Sequence, residues 1–388
     1  MATPITNIED LRVLARRRVP KALFEYVDGG SYDELTLRAN RADLDAVKLR
    51  QRVLVDTSQR DLTTALLGEK VAMPVAIAPT GLTGLIHGDG EILAARAAEA
   101  AGLKFCLSTL SICALEDVAS AVKQPIWYQL YVFKDRGFAR AMIERATAAR
   151  CSAMFLTVDL PYRGQRHADI KNGLTVPPRL TLRNCWDIAT KPAWAMGVLM
   201  SKRKSFGNLE TYLGSAPGYA PTVLKTGSWA TSNSDQSLNW RDLDWIRERW
   251  KGKLVLKGIL DVEDAKRAAD EGVDGIVVSN HGGRQLDSAS GSISVLPHIV
   301  DAVGDRLEVL FDGGVRSGHD VFKALALGAR GCLIGRAYLY GLAAMGQAGV
   351  AAAVEVIRES FDNAMILTGT TNVAQITRDK LYRAPLKN

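Results

Sequence analysis

Eight short runs rich in β-branched and aromatic residues recur along the chain, and their spacing restricts the fold more than any other feature. They are Pro74–Pro79 (PVAIAP), Lys104–Ser108 (KFCLS), Ile126–Tyr131 (IWYQLY), Ala153–Asp159 (AMFLTVD), Lys253–Gly258 (KLVLKG), Gly275–Asn280 (GIVVSN), Glu308–Asp312 (EVLFD) and Gly331–Gly335 (GCLIG). Continuous apolar runs of this length suit parallel strands buried on both faces. Their starts are separated by 30, 22, 27, 100, 22, 33 and 23 residues. Amphipathic stretches such as Gly90–Ala101, Val262–Glu271 and Gly318–Leu327 lie between them, each long enough to cross back over a sheet. Eight βα units make a closed (β/α)8 TIM barrel, here over about residues 74–350. A doubly wound dinucleotide fold would instead show G-x-G-x-x-G just after a strand, and no such match occurs.

Helical patterns at Ile8–Arg17 and Lys21–Asp28 precede the barrel and are expected to cover one of its ends. Tyr338–Leu342 and a helix around Val350–Leu367 follow the last strand. The single long interval marks residues 160–235 as an insertion after the fourth strand, before an outer helix near Ser237–Trp250. So long a segment inside a compact unit predicts a lid, flap or docking element. The whole chain, 1–388, reads as one domain.

With 47% apolar and 23% charged residues the chain can bury a sizeable core. No apolar run approaches the roughly 20 residues of a membrane-spanning helix. Glu9 and Asp10 interrupt the place where a secretory signal would be apolar, so a cytoplasmic location is expected. The 5 cysteines are odd in number and lack C-x-x-C spacing, which argues against zinc and against a disulfide framework. A net charge of +7 is spread without a basic block. That predicts no nucleic-acid arm, only a bias toward anionic ligands or an anionic surface.

Reacting groups of such barrels project from the C-terminal ends of strands, and here those ends are polar. The third carries Gln129 and Tyr131, the fourth Thr157 and Asp159, the fifth Lys257, the sixth Ser279, Asn280 and His281, the seventh Asp312. Asp312-Gly313-Gly314-Val315-Arg316 and Gly335-Arg336 follow the last two strands. Exposed backbone N–H groups, a helix N-terminus near Gly318 and two arginines make this a phosphate cradle. His281 suits a general base, with Asp159 to orient it and Arg284 beside it. Lys257 is either a Schiff-base former or an ion-pair partner, because a buried ammonium needs one or the other. Arg166 could grip a carboxylate at two points. His87, His167, His298 and His319 lack such company and read as structural.

These residues resemble the FMN-dependent 2-hydroxy acid oxidases and dehydrogenases. The strongest likeness is SNHGGRQLD at Ser279–Asp287, joined in order by Ala78–Gly81, Leu107–Thr109, Gln129–Tyr131, Leu156–Asp159, Leu256–Gly258, Asp312–Arg316 and Ile334–Arg336. It spans about Ile8 to Thr377. FEYVDGGSYDELTLRAN, KGILDVEDA, PAWAMGV and GNLETYLG bring it nearest to the bacterial respiratory L-lactate dehydrogenase branch. The resemblance implies FMN as cofactor and no metal. It implies His281 as base, Asp159 as its partner, Tyr26, Arg166 and Arg284 as the grip on the substrate carboxylate, and Tyr131 at the reacting oxygen. Lys257 would face the pyrimidine edge of the flavin. Pro79, Thr80, Gly81, Ser108, Gln129, Thr157 and Ser279 would line the isoalloxazine and ribityl chain, and Asp312, Gly313, Gly314, Arg316, Gly335 and Arg336 the phosphate end. Glycolate-oxidising relatives tend to carry Trp and Ala where this chain has Leu110 and Gly81, which opens space for lactate or a bulkier 2-hydroxy acid.

The insertion places Trp186, Trp194, Met196, Val198, Leu199 and Met200 next to Lys202, Arg203 and Lys204. That mixture suits the headgroup region of an anionic bilayer over about residues 186–204. The resemblance adds a membrane quinone as electron acceptor, peripheral attachment to the inner face of the cell membrane, and a homotetramer. Its alternatives are an oxygen-reducing oxidase that forms hydrogen peroxide and a mandelate-type dehydrogenase.

Overall fold

The computed structural model describes residues 4–174, 179, 181–214 and 223–382. A hairpin of β1 (Thr64–Leu66) and β2 (Glu69–Val71) precedes eight parallel strands. These are β3 (Val75–Ile77), β4 (Lys104–Ser108), β5 (Trp127–Leu130), β6 (Ala153–Thr157), β7 (Lys253–Ile259), β8 (Gly275–Val278), β9 (Glu308–Asp312) and β10 (Gly331–Ile334). They close in the order β10-β3-β4-β5-β6-β7-β8-β9, so each apolar run of the sequence supplies one stave of a (β/α)8 barrel.

Alternation within the strands builds two cores. Ala76, Cys106, Trp127, Phe155, Val255, Val277, Leu310 and Leu333 point inward and pack with Leu66, Leu67 and Val71 of the hairpin. Their neighbours on the outer face, such as Ile77, Leu107, Met154 and Phe311, pack against the helical ring. The hairpin therefore plugs the end of the barrel at which the strands begin. Trp127 stacks on Phe155 with ring centroids 5.1 Å apart, and its indole N–H donates to Glu69 Oε1 at 2.8 Å. The strands of this plug are too short for a periodicity argument. The tight turn at Leu67 and Gly68, with φ of 51° and 82°, closes them in the left-handed region that such hairpins require.

Side-chain caps start several outer helices. Asp135 accepts from Gly137 N and Phe138 N, Asp261 accepts from Glu263 N, and Ser317 with Asp320 forms a reciprocal box. The outer helix expected near Ser237–Trp250 is Asp242–Arg249. One described helix, Arg336–Leu367, is long and apolar enough to cross a bilayer, contrary to the expectation of no such run. It is a core element. Met345 and Gly346 break its helical backbone, Gly346 with φ of 62°, and the chain folds back so sharply that a side chain on Gly341 would strike the Gly349 carbonyl.

Three helices precede the barrel: α1 (Ile8–Arg18), α2 (Lys21–Asp28) and α3 (Leu35–Ala46). The third was not foreseen. It lies along the turn after β8, where Thr36 N donates to Asp287 Oδ1 at 2.9 Å and the amides of Asn40 and Asn280 exchange bonds of 2.8 and 2.7 Å. The insertion is largely helical, with His167–Lys171, Leu182–Ala189, Pro192–Met200, Gly207–Leu213 and Val223–Ser232. Trp194 donates to the Leu85 carbonyl at 2.9 Å, and Arg203 is clamped between Asp89 and Asp117 at 2.9 and 2.6 Å. Two members of the proposed membrane-facing set therefore pin the insertion to the barrel. Leu182, Trp186, Leu199 and Met200 remain 91%, 75%, 69% and 77% exposed.

Candidate active site

A cavity of ≈ 340 Å³ opens at the C-terminal ends of the strands. Tyr26, Tyr131, Arg166, Lys257, His281 and Arg284 line it, with Pro79, Thr80, Gly81 and Ser108 on the side of β3 and β4. Asp312, Gly313, Gly314, Arg316, Gly335 and Arg336 line the side of β9 and β10. Gln129, Thr157, Asp159 and Ser279 stand at the same strand ends, just behind this lining.

Chain geometry after β8 sets the imidazole. His281, Gly282 and Gly283 follow one another with φ of 57°, 66° and 72°, the first being a left-handed non-glycine position. Such a conformation costs roughly 1–3 kcal/mol and persists only where its surroundings enforce it. Here His281 N donates to Ser279 Oγ at 3.0 Å, and Asn280, fixed by Asn40, accepts from Gly283 N at 3.1 Å. The ring then meets Asp159, with Nδ1 3.0 Å from Oδ1. A carboxylate only accepts, so Nδ1 carries the proton and Nε2 is left as the basic atom. Asp159 reaches this place because β7 bulges between Lys257 and Ile259. A side chain on Gly258, whose φ is 109°, would lie 2.5 Å from the Asp159 carboxyl carbon.

Lys257 is buried and forms an ion pair with Asp312 at 2.8 Å, while Ser279 Oγ bridges the two at 3.1 Å from each. Burial works against the ammonium, but the charges of Asp312 and Asp159 outweigh it and hold Lys257 above its ordinary value. Burial likewise raises the Asp312 carboxyl, and Lys257 more than reverses that, leaving it below the usual carboxylate range. A Schiff base needs a neutral amine, so this pairing selects the ion-pair reading of Lys257.

Opposite His281, two guanidiniums share the face of one phenol ring. Arg284 lies 4.8 Å and Arg166 5.7 Å from the centre of Tyr26. Arg284 also donates to the carbonyls of Tyr26 and Gly29 at 2.6 and 3.0 Å. Among the described residues the buried Nε of Arg166 has no partner, and the Asp169 carboxylate lies 3.6 Å from its guanidinium. Burial and the charge of Arg284 push it down to about 10. Burial also lowers Arg284. Two desolvated cations that disfavour each other constitute a socket for an anion. Burial, with the charges of Asp159 and Tyr26, raises the Tyr131 hydroxyl well above its ordinary value, so it stays a neutral donor.

The segment read as a phosphate cradle lines the β9 and β10 side of the cavity. Gly313 and Gly314, at φ of 125° and 83°, turn where a side chain would collide with Ser292 or the Asn40 carbonyl. Arg316 lies 5.5 Å over the ring of Tyr340 and donates to the Val315 carbonyl at 2.8 Å. Arg336 also has a structural task. Its guanidinium donates to the carbonyls of Val27, Gly29 and Gly282 at 2.8, 2.7 and 2.8 Å. It bolts the end of α2 to the turn after β8 as well as lining the cavity, a role that sequence could not reveal because its partners lie far back in the chain.

Buried polar atoms without protein partners test whether a flavin fits. Gln129 Nε2, Thr157 Oγ1 and Asp159 Oδ2 are such atoms, and they stand at adjacent strand ends around Lys257. Unsatisfied groups of this kind are costly in a finished core and ordinary where a polar ligand completes them. A side chain on Gly81 would approach the Leu110 carbonyl to 3.2 Å, so glycine lets these two parts of the cavity wall pack closely. The residues fit.

Comparison with known proteins agrees. The FMN-dependent dehydrogenase family matches residues 15–383. An L-lactate dehydrogenase of Caulobacter vibrioides (strain NA1000 / CB15N) is 51% identical over 96% of both chains, and one of Ectopseudomonas mendocina (strain ymp) is 49% identical over 98% of this chain and 99% of its own. The crystal structure of the monotopic membrane protein (S)-mandelate dehydrogenase superposes with a TM-score of 0.93 at 35% identity, covering 98% of this chain and 100% of that one. Fold, cavity and sequence together make this chain a member of the FMN-dependent dehydrogenase family, a flavoprotein oxidoreductase of the 2-hydroxy acid class with FMN as its cofactor.

Proposed function

We propose that the protein oxidises L-lactate to the 2-oxo acid and delivers the electrons to a membrane quinone. The observation that carries the reading is the His281–Asp159 pair at 3.0 Å in a cavity that also holds the desolvated Arg166 and Arg284. Arg284 and Arg166 receive the substrate carboxylate, with Tyr26 between them. That grip sets the carbinol carbon near His281 Nε2 and the reacting oxygen near Tyr131, whose neutral hydroxyl donates to it. Oxidation of CH–OH to C=O releases two electrons and two protons. His281 holds one of the protons, and Asp159 stabilises the imidazolium that results. FMN, when bound, would supply the acceptor for the two electrons and the second proton. Lys257 offers a fixed positive charge beside it, kept protonated by Asp312, while Gln129, Thr157, Ser108, Ser279, Pro79, Thr80 and Gly81 line it and Asp312, Gly313, Gly314, Arg316, Gly335 and Arg336 surround its phosphate end.

Leu110 and Gly81 bound the side-chain end of the substrate. Neither is bulky, which also supports a second reading, an aromatic 2-hydroxy acid such as mandelate, in keeping with the (S)-mandelate dehydrogenase neighbour. Exposed Trp186, Leu199 and Met200 beside Lys202 and Lys204 support peripheral docking on an anionic membrane, where quinone is met. Assembly as a homotetramer is part of the same reading and is checked by light scattering. Anaerobic mixing with L-lactate should bleach the flavin, and a short-chain quinone should restore the yellow colour faster than oxygen does. Rapid reoxidation by oxygen with no gain from quinone would make the protein a peroxide-forming oxidase instead.

A further inference from the structure

The loop after β4, Ser108 to Leu115, carries both a cofactor-lining residue and the wall of the substrate's side-chain end. Its shape is held by a residue from a distant part of the chain. Asn208, in the insertion helix Gly207–Leu213, is fully buried. Its Nδ2 is directed at Ser111 Oγ (3.1 Å) and at the carbonyls of Thr109 (3.3 Å) and Ser108 (3.4 Å). Its Oδ1 accepts from Leu115 N at 2.9 Å and from Arg145 Nη2 at 3.3 Å. A carboxamide has two donors and one acceptor oxygen, and nearly all of that capacity is spent on one loop, on both sides of Leu110. The neighbouring Gly207 makes the approach possible, since a side chain there would lie 2.6 Å from Ala114 N and 2.8 Å from the Ile112 carbonyl. Phe206, one residue earlier, itself lines the cavity.

From the far side a second buried group, Glu91, accepts from Ile112 N at 2.9 Å, Cys113 N at 3.4 Å and Gly84 N at 3.0 Å. The loop backbone is thus held between two buried side chains on both sides of Leu110. Anchoring the insertion does not require Asn208, because Trp194 and Arg203 already do so. None of its bonds reaches the acid–base pair or the arginine socket.

We infer that Asn208 is a positioning residue for substrate choice: through the Ser108–Leu115 loop it fixes Leu110 and so sets the size of 2-hydroxy acid side chain that is accepted. This rests on the placement of the substrate's side chain against Leu110 proposed above. The test compares kcat/KM for L-lactate and (S)-mandelate, with an artificial electron acceptor, in FMN-loaded full-length protein. Asn208→Ala should shift the ratio toward mandelate by about 5-fold or more, within the range by which a hydrophobic pocket discriminates. The shift should fall in KM, with kcat for the favoured acid within about 3-fold of wild type and the flavin content normal. Leu110→Ala should shift the ratio in the same direction, and Asn208→Ala should then add less than about 2-fold, since coupled residues are not additive. If the alanine variant gives no flavin-loaded protein, Asn208→Asp is measured by the same ratio, because it keeps the shape and loses the donor. An unchanged ratio, or full additivity with Leu110→Ala, overturns the inference while leaving the enzyme's function intact. Wild-type protein that turns over neither acid overturns the functional reading and this inference with it.

Discussion

At the scale of the residue, the site is a set of buried charges whose partners are fixed by the strand ends. His281 spends Nδ1 on Asp159 and keeps Nε2, and in the proposed reading Arg284 and Arg166 receive a carboxylate. His281→Gln should retain yellow protein and lower kcat by about 10²–10⁴-fold, the usual contribution of a positioned base, measured by anaerobic flavin reduction. The Lys257–Asp312 pair carries a pH signature. Asp312 is depressed, so its contribution to stability is present above the unfolded carboxylate value of about 3.9 and is lost as pH falls through its folded value. Lys257 is raised, so its contribution is complete below about 10.4 and fades only as pH climbs through its higher folded value. Asp312→Asn should cost about 3–5 kcal/mol at neutral pH by leaving a buried ammonium unpaired. Its melting temperature should fall less steeply than that of wild type below about pH 4, as followed by calorimetry. His281, Lys257 and Asp312 were legible in the sequence because each is a polar interruption at the end of an apolar strand. Glu91, Asn40 and Asn208 were not, because an isolated polar residue in a helix carries no mark of a partner such as Ile112, 21 residues from Glu91, or Asn280, 240 residues from Asn40.

Elements show the same division. All eight barrel strands were readable because burial on both faces leaves a continuous apolar run with a turn at each end. The hairpin plug and α3 escaped, the first for its brevity and the second because its inner face meets a polar turn. Leu66, fully buried in the plug, should lose about 2–5 kcal/mol on Leu66→Ala with little effect on kcat, as judged by denaturant unfolding. The insertion was read as a lid, flap or docking element, and the sequence did not sort its charges. Replacing Trp186, Leu199 and Met200 together by serine should release the protein from anionic vesicles in a sedimentation assay. Lys202→Gln with Lys204→Gln should weaken binding by about 1 kcal/mol per charge and make it less salt-dependent. Arg203→Gln should act differently, loosening the insertion from Asp89 and Asp117 and lowering thermal stability.

Across the whole molecule, one end of the barrel is sealed by side chains and the other is finished by pieces from outside it. The N-terminal helices contribute Tyr26 and the carbonyls that hold Arg284 and Arg336, so they form a permanent wall of the cavity in addition to covering it. Because Arg166 and Arg284 disfavour each other while no anion is present, an unreactive dicarboxylate such as oxalate should stabilise the protein beyond simple crowding of the pocket. At 100 times its dissociation constant the gain is about 2.7 kcal/mol, read as a rise of several degrees in melting temperature. That rise should shrink sharply in Arg284→Met.

The bolt made by Arg336 has a consequence for biosynthesis. The carbonyls of Val27 and Gly29 leave the ribosome early relative to the barrel, and the guanidinium that receives them follows 309 and 307 positions later. At about 5–20 residues per second the opening helices must wait some tens of seconds, their apolar faces unsheltered, until the last βα unit appears. A translating chain can therefore own a nearly complete barrel while one wall of its cavity is still unfastened.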